Sequence, residues 1–441
     1  MDKMDRTELK QKICAAIDQH REEIIALGED IFRHPEMGYK ETRTATKVCE
    51  EFDKLGFSYQ SGLALTGVMA KLKGGESKVN VAVMGELDAI IAPQQEFADP
   101  VTGAAHSCGH NAQIAAMVGV GYGLKYSGVL QELSGDVTLI AIPAEEYAEI
   151  EYRSQLKKEG KITFLGGKQE FIKLGLFDDV DMVVMHHLTV PSLLENGGLA
   201  QAGGAYNGFT GKLVRYIGKE AHAGGAPHLG INALNAAQIG LAAVNANRET
   251  FQDKDHIRVH PIITKGGDLV NVVPADVRIE TYVRGSSVSA ILDASAKVNR
   301  AFKAGADAVG AQCEITEIPG YMPVEPDKNL QQLLYENYCA LLGEENVLFD
   351  HGMMGGSTDL GDLSALMPVI QGRTTGAAGI SHNSNYSIAD KEMSYIVSSK
   401  ALAMTVVDLL CDGAREALRV KEEFRPIMTK EQYLREWGQL Q

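Results

Sequence analysis

Residues 79–88 read VNVAVMGELD, a near-continuous apolar run followed at once by two acids, Glu86 and Asp88. A strand with one wet face alternates, whereas an unbroken run of this kind fits a strand buried on both faces, in a sheet covered by helices. The pattern recurs along the chain. Residues 137–142 (VTLIAI) lead to Pro143-Ala144-Glu145-Glu146, residues 182–185 (MVVM) to His186-His187, and residues 367–370 (MPVI) to His382 about a dozen positions later. Acids and histidines therefore gather where strands stop, and in open α/β sheets ligand crevices lie outside the carboxyl ends of the strands. The expected fold class is α/β, an α/β sheet carrying a catalytic crevice.

Between two of these runs lies HSCGHNAQIAAMVGVGYGL, residues 106–124. His106, Cys108 and His110 occupy a glycine-containing turn, and the small apolar stretch after them reads as a closely packed helix. Imidazole and thiolate are the protein ligands that zinc and related transition metals prefer. By itself the spacing does not decide, because a free cysteine is equally at home as a small buried hydrophobe and a histidine in a local hydrogen bond.

Upstream, apolar residues at helical spacing from about Arg6 to Lys54 break at His34-Pro35-Glu36-Met37-Gly38, which predicts two helices joined by a turn. Downstream, Gly208 to about Gly320 has a different character. Strand 212–217, helix 231–246, strands 257–263 and 277–283, helix 287–308 and strand 313–318 follow in βαββαβ order. That is the order of a ferredoxin-like sandwich. The expected domains are thus 1–205 with 321–441, holding the catalytic sheet, and an inserted 206–320, acting as a lid or dimerisation domain.

At 441 residues the chain exceeds one ordinary core, and 45% apolar with 23% charged residues is the balance of a globular protein. A formal net charge of −16 and a pI near 5.3 argue against nucleic acid or an anionic membrane as partner. No apolar run approaches the roughly 20 residues that span a bilayer, and the charged start MDKMDRTELK does not read as a signal peptide. Cysteines 14, 49, 108, 313, 339 and 411 lack paired spacing and fit reduced thiols. A cytoplasmic protein is expected.

These residues carry a resemblance. GELDA (85–89), HSCGHNA (106–112), PAEE (143–146), VDMVVMHH (180–187), GKEAHAGGAP (218–227), NVVPA (271–275), YVRG (282–285), GSTDLGD (356–362) and ISHN (380–383) stand in the order and spacing of the M20 metallopeptidases and amidohydrolases. The chain most resembles the branch of N-acyl amino acid, auxin-conjugate and aminobenzoyl-glutamate hydrolases. The resemblance implies two divalent metal ions, zinc or manganese, with cobalt or nickel also accepted by such ligands. Cys108, His110, Glu146, His187 and His382 fall on the family's ligand positions, Cys108 bridging. His186 adjoins His187, and an alternating strand would point only one of the two at the metals.

By the same resemblance Glu145 is the general base, taking a proton from water activated at the metals. Asp88 orients a ligand histidine, and His222, from the inserted domain, stabilises the oxyanion, commonly in the partner subunit. Asn271 and Arg284 hold the substrate, Arg284 through its carboxylate, although a salt bridge within the small domain would equally account for Arg284. The implied function is hydrolysis of an N-acyl or N-aroyl amino acid, or a similar small amide with a free carboxylate, by a homodimer. A dipeptidase or carboxypeptidase on the same scaffold, or a metal-binding protein without turnover, is the alternative. Two departures stand out: Asn111 where much of the branch has aspartate, and an insertion at 147–176, directly after Glu146, placed to form one wall of the pocket.

Overall fold

The apolar run at 79–88 forms the strand Asn80–Glu86, buried at every one of its seven positions. It lies inside an eight-stranded sheet whose order is Gln60–Leu63, Gly67–Leu72, Asp136–Ile142, Asn80–Glu86, Met182–Thr189, Val369–Thr375, Ala200–Gln201 and Val347–Leu348. The four central strands, Asp136–Ile142 through Val369–Thr375, are parallel neighbours. Their apolar sequences follow from that position, since helices cover a parallel sheet on both faces. Because they are parallel and adjacent, their carboxyl ends open on one edge of the sheet, two of them running past the expected ends to Thr189 and Thr375.

The computed structural model describes residues 4–194, 197–350 and 352–437. It divides into two units, Met1–Gly204 with Glu325–Gly352 and Leu363–Ile427, and Ala205–Val324 with Met353–Asp362 and Met428–Gln441. The first unit holds the eight-stranded sheet and the larger core. Its helix His110–Ser127 is buried without interruption from His110 to Leu124, so Ala, Gly and Val on every face serve close packing rather than an amphipathic stripe. The expected pair of N-terminal helices is three, Arg6–Gln19, Arg21–Phe32 and Thr42–Leu55. The extra break falls at His20, whose backbone (φ −110°, ψ 20°) leaves the helical region, an interruption that apolar periodicity does not register.

The second unit has the strands Gly208–Ile217, Arg258–Val259, Ile262–Lys265, Asp276–Gly285 and Gln312–Ile318, all paired antiparallel. Helices Ala233–Ala246 and Val288–Val309 complete a βαββαβ order in which the second strand is broken in two. The segments Met353–Asp362 and Met428–Gln441 also belong to this unit. Met353–Met354 pairs with Ala205–Tyr206, and the Trp437 indole donates to the Gly320 carbonyl at 3.1 Å.

Candidate metal centre

The turn before His110 decides where the donors point. Gly109 adopts φ +90°, and a side chain there would lie 2.7 Å from the Tyr386 hydroxyl and 2.9 Å from Leu188 Cβ. Only glycine fits that left-handed, crowded position, which sets Cys108 just outside the helix and His110 as its first residue. The loop after Asp136–Ile142 carries Glu145 and Glu146. It passes through Ala144 at φ +55°, a backbone region that a non-glycine residue occupies at a cost and that surrounding contacts must enforce. Here the enforcing group is Glu41, whose buried carboxylate accepts the Ala144 N–H at 2.8 Å and the Thr66 hydroxyl at 2.6 Å. Burial, and the Asp88 charge close by, push the Glu41 pKa up.

Cys108, His110 and His187 form one set whose ligand atoms all lie within 4.8 Å of one another, and Cys108, Glu146 and His382 form a second. Cys108 belongs to both. Its Sγ is 3.5 Å from His187 Nε2 and 3.4 Å from His382 Nε2, and His382 Nε2 is 3.1 Å from Glu146 Oε1. Atoms bound to one tetrahedral ion at about 2.0–2.3 Å are themselves roughly 3.3–3.8 Å apart, so the two sulfur separations suit two cations sharing one thiolate, and the Glu146–His382 pair lies slightly closer than that range. Burial and Glu146 push the Cys108 thiol up, but His187 and His110 outweigh them and bring it down to about 5. The shared sulfur is then a thiolate, the form in which cysteine binds metal. Two buried donor atoms, His110 Nε2 and Glu146 Oε1, have no hydrogen-bond partner among the described residues. Unpartnered buried donors around a shared thiolate are what a metal site requires when its ions are set aside.

The strand Met182–Thr189 continues through both histidines instead of ending at them. Alternation therefore separates them as expected. His187 Nδ1 lies 2.7 Å from the Leu188 carbonyl, which leaves Nε2 for Cys108. His186 is fully buried, meets the Thr374 hydroxyl at 2.8 Å, and is lowered by burial to about 3. His106 is also buried, is lowered to about 3, and joins neither donor set.

Asp88 works from both its main chain and its side chain. Its carbonyl meets His110 Nδ1 at 2.8 Å, with Oδ1 at 3.3 Å, and its Oδ2 accepts the Glu146 N–H at 2.9 Å. It thereby fixes a residue of each donor set. Glu145 is buried, and its Oε2 lies 3.9 Å from His110 Nε2, so a carboxylate stands beside the proposed ions without belonging to either set. It also forms a third group with Glu86 and His110.

His222, Asn271 and Arg284 belong to the second unit. His222 is exposed, and its Nδ1 accepts the N–H groups of Gly224 and Gly225 at 3.2 and 2.9 Å, which leaves Nε2 as the donor. Asn271 is held beside it, since its carbonyl accepts the Ala223 N–H at 3.0 Å. Arg284 donates to the Ser357 hydroxyl at 2.7 Å and lies over the Phe209 and Tyr282 rings at 5.3 and 5.7 Å.

Sequence reading assigned no role to Glu41, Glu86, Gln113 or Lys168. Glu86 lies beside His110 and takes bonds from Lys168 Nζ at 2.5 Å and Gln113 Nε2 at 2.7 Å. Burial pushes Glu86 up, yet Lys168, His110 and His187 outweigh it and hold the carboxylate ionised. The signals available were position alone: Glu41 within HPEMGYKE and Glu86 at the end of a buried strand. Asn111 faces away from the donors, giving its amide N–H groups to the Gly28 carbonyl and the Tyr395 hydroxyl, each at 3.1 Å. An aspartate there would set a carboxylate against a carbonyl.

The model of the family described as Peptidase family M20/M25/M40 matches residues 82–406. Among curated proteins, the chain is 29% identical to the Xaa-Arg dipeptidase of Mus musculus, over 97% of this chain and 94% of that protein. It is 28% identical to the N-acyl-L-amino acid amidohydrolase of Geobacillus stearothermophilus, over 71% of this chain and 81% of that one. Among solved structures, a Bacillus subtilis dinuclear metal-binding peptidase from the M20 family superposes with a TM-score of 0.66 at 22% identity, covering 89% of this chain and 99% of the other.

Proposed function

Because this chain belongs to the M20/M25/M40 peptidase family, and is thus a hydrolase of amide or peptide bonds, we propose that it cleaves a small amide beside a free carboxylate. An N-acyl or N-aroyl amino acid is the first such substrate. The observation that carries the proposal is the sharing of Cys108 between two donor sets, with the Glu145 carboxylate beside them. Two divalent ions held by Cys108, His110, His187, Glu146 and His382 would polarise the amide carbonyl and acidify a water molecule. Zinc and manganese suit this mixed sulfur, nitrogen and oxygen set.

The chain's own residues do the rest. Glu145 Oε2 accepts the water proton and returns it to the departing amine. Asp88 keeps His110 and Glu146 in register. In the second unit His222, with Nε2 as its donor, serves the oxyanion, and Asn271 beside it contacts the acyl side. Arg284 binds the substrate carboxylate, trading the Ser357 hydroxyl for a bidentate partner. Pairing of two copies through the second unit is supported by its exposed apolar residues Ile262, Ile263, Leu269 and Val270.

A dipeptidase is the second reading, favoured by one observation: the relative matched over 97% of the chain is an Xaa-Arg dipeptidase. Amine release from N-acetyl, N-benzoyl and aminobenzoyl amino acids, set against dipeptides ending in Arg or Lys, tests both. An acylase accepts substrates without a free amino group, and a dipeptidase requires one.

A further inference from the structure

The segment 147–176 places a lysine where a lysine is costly. Lys168 has no exposed surface, and its Nζ sits 2.5 Å from Oε1 of the equally buried Glu86. Bringing both charges out of water is expensive unless the pair serves something that an apolar pair could not. The backbone around Lys168 is built to hold it in place. Gly167, which precedes it, lies so close to the strand-end loop that an added Cβ would be 1.7 Å from the Pro143 carbonyl oxygen. Its N–H donates to the Ala144 carbonyl at 3.2 Å. The helix Gly167–Leu174 therefore starts directly against the loop that carries Glu145 and Glu146.

Glu86 links Lys168 to the metal centre. Its Oε2 lies 3.1 Å from His110 Nε2, yet the two are not aligned as a hydrogen bond, and Nε2 has no hydrogen-bond partner among the described residues. The carboxylate is held off that axis by its two donors, Lys168 on Oε1 and Gln113 on Oε2. The same two bonds tell against a third cation among Glu86, His110 and Glu145, since the ion would face the lysine ammonium across a carboxylate already engaged.

We propose that Lys168 is a positioning residue for one of the two metals: it anchors Glu86 beside His110 but off the Nε2 lone pair, which stays free for the ion. The proposal rests on the metal-binding reading above. Without Lys168 the carboxylate loses one of its donors and turns toward Nε2, where a proton taken from water and shared between Glu86 and the imidazole occupies the lone pair, so that proton and metal compete for the same nitrogen. Only the set containing His110 and His187 is affected, because among the described residues Glu86 is bonded or paired to Lys168, Gln113 and His110 and not to Glu146 or His382.

Zinc titration of metal-free protein, read by calorimetry and by metal per chain after gel filtration, tests this. Wild type is expected to take up two ions. Lys168→Met is expected to keep one site at wild-type affinity and to weaken the other about tenfold or more, the scale of losses when a residue behind a ligand is removed. Adding Glu86→Gln to Lys168→Met removes the competing carboxylate and restores the second site. Lys168→Gln covers the case in which Lys168→Met does not fold, and is expected to lose affinity at one site only. A variant with both sites unchanged, or both weakened alike, or a double variant no better than the single, would overturn the proposal while leaving the metal reading intact. No uptake by wild type would overturn both.

Discussion

Asp88 Oδ2 accepts the main-chain N–H of Glu146 at 2.9 Å. Since the Asp88 carbonyl also meets His110 Nδ1 at 2.8 Å, one residue at the end of a central strand sets the geometry of both donor sets. Asp88→Ala removes the first contact, weakens the second, and leaves a buried amide without a partner. The expected result is a fall of about 10–100-fold in metal affinity with the far-ultraviolet spectrum unchanged. Calorimetric titration of the metal-free variant measures it.

Cys108 and His187 make a discriminating pair of substitutions, because the first belongs to both donor sets and the second to one. His187→Ala is expected to leave about one tightly bound ion per chain, by the ligand count alone. Cys108→Ala is expected to weaken both sites. Metal content after dialysis against a weak chelator separates the two outcomes, and unchanged content in Cys108→Ala would remove the shared thiolate from the account.

Asn111 sits beside a ligand in sequence but serves the fold. Its amide donates to the Gly28 carbonyl and the Tyr395 hydroxyl, and Asn111→Asp replaces a donor by a charge facing a carbonyl. A cost of about 1–3 kcal/mol follows from an unmade buried hydrogen bond. Denaturant unfolding of both proteins, with metal saturating, gives that difference directly. A variant as stable as wild type would show that the aspartate is accommodated by another partner.

The fold was legible where burial leaves a pattern in the sequence. Strands buried on both faces announce themselves as apolar runs, and the βαββαβ order of the second unit follows from alternating periods in its own sequence. The spacing of VDMVVMHH set His187 apart from His186, alternation said only that the two face opposite ways, and it is the strand's continuation to Thr189 that gives each its own surroundings. What was not legible depends on partners distant in sequence. Lys168 and Glu86 are 82 positions apart, and a lysine in a polar stretch reads as solvated until its acid is found. Glu41 supports Ala144 across 103 positions. Met353–Asp362 joins the second unit through pairing with Ala205–Tyr206, a contact for which two-residue strands leave no periodicity to read.

In the proposed mechanism Glu145 moves the proton while five other side chains hold the metals, and Glu145→Gln tests it most directly. The amide keeps the size of the side chain and gives up the base. The variant is expected to bind two ions as wild type does and to release amine from the best substrate about 10²–10⁴-fold more slowly. Turnover at the wild-type rate with both ions bound would contradict the account.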